Sequence, residues 1–138
     1  MISAITCMAV AIYFEARNQP ITGRLAVAHV ISNRVASRHY PDTVCEVIQQ
    51  GATYGISGHP IKHRCQFSFW CDSKPETIHD YGAWQTAMRV AATVRDTSYP
   101  RVDVSEGATH YHTTEVSPKW RYTMKMTVQI GQHLFYKP

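Results

Sequence analysis

The stretch GRLAVAHVISNRV, residues 23–35, decides the fold. Leu25, Val27, Ala28, Val30, Ile31 and Val35 spread over more than one face of a helix, and a helix apolar nearly all round belongs in the middle of a core. Thr22 is its expected N-cap and Ser37 its approximate end. Upstream, Ser3 to Arg17 reads as a first helix that must stop before Pro20, whose ring disfavours helical geometry in the residue before it. Downstream, Tyr40-Pro41-Asp42-Thr43 breaks the chain and caps a short third helix from Val44 to Gln50. Gly51 to Arg64 carries three Gly and one Pro among polar residues, which predicts a long loop. CQFSFWC, residues 65–71, is more strand- or turn-like than helical. Asp80 to Arg95 fits a helix with Tyr81, Trp84, Met88 and Ala91 on one stripe, ended by Tyr99-Pro100. β-type residues return in ATHYH, residues 108–112, and from Lys125 to Tyr136, with Trp120 between them. Helices come first, a β-rich segment late, with no βαβ alternation and no linker. The expected class is α+β, one domain over residues 1–138.

The 138 residues are 44% hydrophobic and 17% charged, a balance that excludes a disordered chain. It also excludes a membrane span, a repeat array, a coiled coil and a charged tail. Fourteen Lys and Arg against ten Asp and Glu give a net charge of +4, which favours an anionic partner. The basic residues are scattered and no two are adjacent, which argues against a nucleic-acid footprint. Ile2 to Phe14 is uncharged and mostly apolar. No Lys or Arg precedes it, it is too short to span a bilayer, and no small-residue cleavage pattern follows. A buried first helix is the better reading, and no leader is expected.

Glu15 is the only acidic residue among the first forty-one. It ends an apolar helix and is flanked by Tyr13, Phe14 and Ala16. A carboxyl held against aromatic surface has its ionised form disfavoured, which moves its pKa toward the range useful to a general acid. The plainer alternative pairs Glu15 with Arg17 or Arg24 at the surface. Gln66, Phe67, Ser68, Phe69 and Trp70 alternate aromatic and polar side chains, as a sugar-binding groove does and as a satisfied core strand also does. Thr109-His110-Tyr111-His112 places two imidazoles on one face of a strand. With no carboxylate within two residues of either His, the cluster reads as a cleft wall rather than a metal centre. The four cysteines pair most economically as Cys7 with Cys45 and Cys65 with Cys71. Free thiols are one alternative. A zinc site through His59, His63, Cys65 and Cys71 is the other, although Cys-x5-Cys departs from the usual ligand spacing. No metal and no cofactor are expected.

Six ordered blocks, IYFEAR, GRLAVAHVISNRV, YPDTVCEVI, CQFSFWCD, GATHYH and IGQHLFY, resemble the SleB/CwlJ-type cell wall hydrolase family. They run from about Cys7 to Tyr136, nearly the whole chain. The resemblance implies a lysozyme-like α+β fold with Glu15 as the catalytic acid, acting on the glycan strands of peptidoglycan. It further implies lytic transglycosylase chemistry, which cuts between N-acetylmuramic acid and N-acetylglucosamine and leaves a 1,6-anhydro end. On that reading Gln66 and Ser68 bond sugar N-acetyl or hydroxyl groups. Phe67 or Phe69 and Tyr111 stack on sugar rings, and Thr109 and His112 complete the cleft wall. Asp72, Glu76, Asp80, Glu106 and Glu115 are the candidates for a second carboxylate, and no motif fixes any of them opposite Glu15. A hydrolytic muramidase, a non-catalytic glycan or nucleic-acid module, and a zinc amidase or peptidase using His110, His112 and a cysteine are the rival readings. The expected agent is a monomeric catalytic domain that reaches the wall as a phage endolysin through a holin-type lesion, or as a bacterial autolysin.

Overall fold

A computed structural model describes residues 3–53, 60–72, 77–98 and 102–138, with side chains at 52–53 and 60–64 left out of the description. The first helix, α1 (Ala4–Ala16), starts where the Ser3 hydroxyl accepts from the Thr6 N–H at 3.2 Å, which satisfies one of the donors a helix start leaves open. Met8, Ala9, Ala11, Ile12, Tyr13 and Ala16 are buried along it, so α1 lies inside the helical layer. It packs against α2 (Ile21–Ala36), α3 (Val44–Ile48) and α4 (Tyr81–Arg95).

Helix α2 supplies the other half of the core through Ala26, Val27, Ala28, Val30 and Ile31. Its N-cap is Pro20, not Thr22 as expected, and Thr22 sits inside the first turn. Proline meets the need without a side-chain bond, because its fixed φ leads into the helix and its missing N–H would have had no intrahelical acceptor. Helix α3 is two residues shorter than expected and carries a reciprocal cap. Thr43 Oγ1 accepts from the Glu46 N–H at 3.3 Å and donates to the Glu46 carboxylate at 2.8 Å. Helix α4 begins as read, with the Asp80 carboxylate accepting from Ala83 N–H at 3.0 Å.

The expected loop over Gly51–Arg64 is instead an antiparallel pair, β1 (Gly51–Thr53) with β2 (Pro60–Cys65), joined by residues that lie outside the described ones. Its glycines and polar side chains hide the strands, because backbone pairing makes no demand on side-chain polarity. A 3-10 turn, Ser68–Cys71, follows. Cys65 is disulfide-bonded to Cys71, closing this segment, and Cys7 of α1 is bonded to Cys45 of α3. The zinc alternative therefore loses Cys65 and Cys71, while His59 lies outside the described residues.

The late segment forms an antiparallel sheet of β3 (His110–Thr113), β4 (Lys125–Ile130) and β5 (His133–Lys137), with β5 in the centre. Tyr111 pairs with Phe135 and His112 with Leu134. A tight turn at Gly131 (φ +56) joins β4 to β5. A Cβ there would lie 2.5 Å from Gln19 Oε1 and 2.9 Å from Pro20 Cδ, so glycine lets the hairpin close onto the α1–α2 connection. Helices on one side and a small sheet on the other give the α+β arrangement, with the site at their junction. No helix of the described residues is long and apolar enough to cross a membrane.

Candidate active site

Two anchors bring strand β3 to the end of α1, both from the last turns of α2. Asn33 Nδ2 donates to Ala108 O and to Asp103 Oδ2, each at 2.9 Å, and Arg34 Nε donates to Thr109 O at 2.7 Å. Asp103 is well placed as a hub. Burial works to raise its pKa, but hydrogen bonds from Ser105, Asn33 and Gly107 outweigh it and hold the carboxylate below its ordinary range. The result is a pocket of about 290 Å3 between the helices and the sheet. That lies near the lower end of small-ligand pockets, roughly 300–1,000 Å3.

Glu15 forms part of the wall where α1 ends, and it is the only carboxylate among the described lining residues. Its side chain is largely buried, and burial raises its pKa to about 7 even though a hydrogen bond with Tyr111 pulls the other way. The Tyr111 hydroxyl stays protonated, since its own burial and the neighbouring Glu15 both push its pKa well up. Tyr111 is therefore the donor and Glu15 the acceptor. The surface alternative for Glu15 does not hold. Arg17 donates to the Tyr13 hydroxyl at 2.6 Å, and Arg24 donates to Arg17 O at 2.8 Å.

The sheet side of the pocket is built from both faces of β3. His110 and His112 share one face, as the alternation requires, and both pack on Trp120 with ring centroids 5.1 and 5.7 Å away. His112 is buried with both nitrogens engaged. Nδ1 lies 2.7 Å from Thr113 O, which can only accept, so Nδ1 carries the proton and Nε2 is left to meet the Tyr136 hydroxyl at 2.9 Å. His110 is held neutral over most of the pH scale, its pKa lowered to about 4 by burial and by the Arg34 charge. Among the described residues no group of three or more His, Cys, Asp or Glu is arranged to hold a metal.

Of the residues read from sequence, Glu15, Gln66, Ser68, Tyr111 and His112 come together at the pocket. Gln66 and Ser68 are exposed there and free to meet a ligand. Phe67 also lines it, but only 2% of its surface is exposed, so its ring is core and not a stacking platform. Phe69 is misassigned as a sugar contact. It stacks on Phe14 at 5.2 Å within the core, because the 3-10 turn rotates it away from the side that Ser68 faces. Thr109 is not in the wall either: its hydroxyl is 3.0 Å from His110 Nδ1 and its carbonyl holds Arg34, so it supports the strand. Tyr111 is wedged between Glu15 and the rings of His133 and Phe135, which leaves its hydroxyl, rather than its ring face, as the functional part.

Five wall residues, Arg34, Thr113, Val116, Pro118 and Trp120, escaped the sequence reading. Trp120 had no periodic pattern to place it. Arg34 did carry a signal, since it follows Val27, Val30 and Ile31 on the buried stripe of α2. A cation on a core stripe is costly unless it faces a cavity or a partner.

The removal of the Tyr111 hydroxyl has a defined sign. Its hydrogen bond lowers the Glu15 pKa, so Tyr111→Phe raises that pKa further, and the alkaline limb of any pH profile that depends on protonated Glu15 moves upward from about 7. An unmoved limb in that variant would detach Tyr111 from the acid.

The sequence profile of the family described as Cell Wall Hydrolase matches residues 18–136. That match begins after Glu15, so the acid stands on the geometry of the pocket. The spore cortex-lytic enzyme of Halalkalibacterium halodurans is 31% identical over 132 residues, 95% of this chain and 34% of that protein. Its counterpart from Oceanobacillus iheyensis is 29% identical over 134 residues, 96% of this chain and 41% of that protein. The chain thus spans about a third to two-fifths of the length of these relatives. Among solved structures, the catalytic domain of the Bacillus cereus SleB protein superposes with a TM-score of 0.65 at 27% identity, over 97% of this chain and 89% of that one. The catalytic domain of the germination-specific lytic transglycosylase SleB from Bacillus anthracis gives 0.62 at 27% identity, over 97% and 93%. The lysozyme-like α+β architecture is the one shared with these domains.

Proposed function

Because the chain belongs to the cell wall hydrolase family, we propose that it cleaves the glycan strands of peptidoglycan with Glu15 as the general acid. The observation that carries this reading is the Glu15 carboxyl itself. It is set in the pocket wall, its pKa is raised to about 7, and no other carboxylate lies among the described lining residues. Near neutral pH about half of such groups hold a proton to give, and the conjugate base is strong enough to take one back.

The bond is the one between N-acetylmuramic acid and N-acetylglucosamine. Glu15 donates its proton to the glycosidic oxygen as that C–O bond breaks and the muramyl ring gains oxocarbenium character. The ionised carboxylate then removes the proton from the C6 hydroxyl of the same sugar, whose oxygen attacks C1 and closes the 1,6-anhydro ring. No water is consumed and Glu15 ends protonated. Hydrolysis ordinarily needs a second carboxylate about 5–9 Å from the first. Asp80 is spent on the cap of α4, Glu106 sits in a left-handed turn (φ 57), and Glu115 is exposed beyond β3. Asp72 is not in the wall, and Glu76 lies outside the described residues.

The likenesses to a lytic transglycosylase domain and to spore cortex-lytic enzymes support the same reaction class. We read the chain as one catalytic domain acting as a monomer at the wall, either as an endolysin released through a holin-type lesion or as an autolysin. Its net charge of +4 favours adsorption to anionic envelope polymers. Mass spectrometry of digested peptidoglycan tests bond and reaction together. Anhydro-muramic ends are expected. Reducing muramic ends without them would make the enzyme a hydrolytic muramidase.

A further inference from the structure

Arg34 is only 5% exposed, yet it forms part of the pocket wall. Its guanidinium is held from three sides. Nε donates to Thr109 O at 2.7 Å, and Cζ lies 4.9 Å from the Tyr40 ring centroid and 5.6 Å from that of Phe67. Nη1 is buried with no hydrogen-bond partner. A buried cationic donor without an acceptor is a standing cost, and its place in the same pocket wall as Glu15 makes it a feature of the site rather than of the core alone.

The charges around it narrow what would satisfy it. Glu15 is protonated below about pH 7, and His110 is neutral above about 4. Tyr111 keeps its proton, and Asp103 is occupied by Ser105, Asn33 and Gly107. With Glu15 protonated, as a proton donor must be, the wall carries one uncompensated positive charge. A neutral sugar hydroxyl would fill the hydrogen bond but leave that charge. A carboxylate fills both.

We propose that Arg34 is a specificity residue that binds a carboxylate on the muramyl unit of the substrate. This rests on the glycan-cleaving reading above. The chemistry has two sources in peptidoglycan: the lactyl carboxylate of a strand stripped of its peptide, or a carboxylate on the stem peptide. N-acetylglucosamine units carry neither, so the contact gives the pocket a means of telling the two sugars of the strand apart.

The test uses the wild-type chain labelled with 15N-arginine and three ligands. These are N-acetylmuramic acid, N-acetylmuramyl-L-alanyl-D-isoglutamine, and N-acetylglucosamine. The Arg34 side-chain signals are expected to move with one or both muramyl ligands and not with N-acetylglucosamine. Movement with the free acid alone assigns the lactyl group, and movement with the peptide form assigns the stem. Equal movement with all three, or none at Arg34, overturns the proposal. In turnover, Arg34→Gln is expected to lose about 10- to 100-fold in kcat/KM on intact strands, the scale of one charge-assisted hydrogen bond. On strands whose carboxyls have been reduced to alcohols, it should match wild type within about threefold. Equal losses on both substrates would also overturn it. If Arg34→Gln does not fold, the wild-type titration decides. Failure of the glycan-cleaving reading would look different, as muramyl binding at Arg34 with no muropeptide released.

Discussion

Glu15→Gln is expected to lower glycan cleavage by about a thousandfold, within the 100- to 10,000-fold range that a positioned acid–base group contributes. Muropeptide release by the folded variant is the measurement, and retained release would place the acid elsewhere. Glutamine keeps the size of the side chain and an acceptor oxygen for Tyr111, so the loss isolates the proton. Stability should move the opposite way, with a pH dependence whose sign is fixed. The folded-state pKa of Glu15 is raised from 4.5 to about 7 by burial. Below 4.5 the carboxyl is neutral in both states and costs nothing. Between 4.5 and 7 the unfolded chain ionises first and gains on the folded one. Above 7 the folded chain carries a buried carboxylate, at a cost of up to roughly 3 kcal/mol at about 1.4 kcal/mol per pH unit. Glu15→Gln should therefore be more stable than wild type at pH 8 and indistinguishable from it at pH 4. Equal stability at both pH values would mean that the carboxyl is better solvated than the pocket geometry implies.

The largest effect on stability is expected from the link between Cys7 and Cys45, which closes a span of 38 residues. Restricting an unfolded loop of that length is worth about 4 kcal/mol, against about 2 for the six-residue span between Cys65 and Cys71. The Cys7→Ala/Cys45→Ala double variant should then melt roughly 10–15 °C below wild type. Cys65→Ala/Cys71→Ala should lose about half as much. A melting temperature unchanged by removing the longer link would sink the assignment of that link as the main covalent brace.

The legible parts of this sequence were those where a single physical demand fixes the residue. Val27, Val30 and Ile31 declared the buried helix because apolar burial leaves little choice of side chain. Thr43 marked a helix start because an open N–H needs a short acceptor, whereas Thr22, read by the same demand, lies inside the first turn of α2. Glu15 stood out because a carboxyl on an apolar helix is expensive. The misreadings share a different cause. Pairing of Gly51–Thr53 with Pro60–Cys65 is a backbone transaction, blind to the glycines that suggested a loop. Phe69 and Ser68 are neighbours in sequence, and only the 3-10 turn decides which of them the pocket meets. Thr109 was placed in the wall because its neighbours are there, but its two oxygens are taken up by His110 and Arg34. Trp120 reached the site through tertiary contact with His110 and His112, and no local pattern encodes that.

Helix α1 can also be regarded as a beam clamped at two points. Near its start the sulfur bridge at Cys7 fixes it to α3, and near its end the Tyr13 oxygen accepts from Arg17 at 2.6 Å and from the His79 and Asp80 N–H groups at 3.1 and 2.9 Å. Six residues separate the clamps, a span of about 9 Å at 1.5 Å per residue. Glu15 lies half a turn past the second clamp, a short overhang on a stiff rod. Thermal bending at that lever length displaces the carboxyl very little, so the proposed proton donor keeps its aim when load falls on the pocket around it.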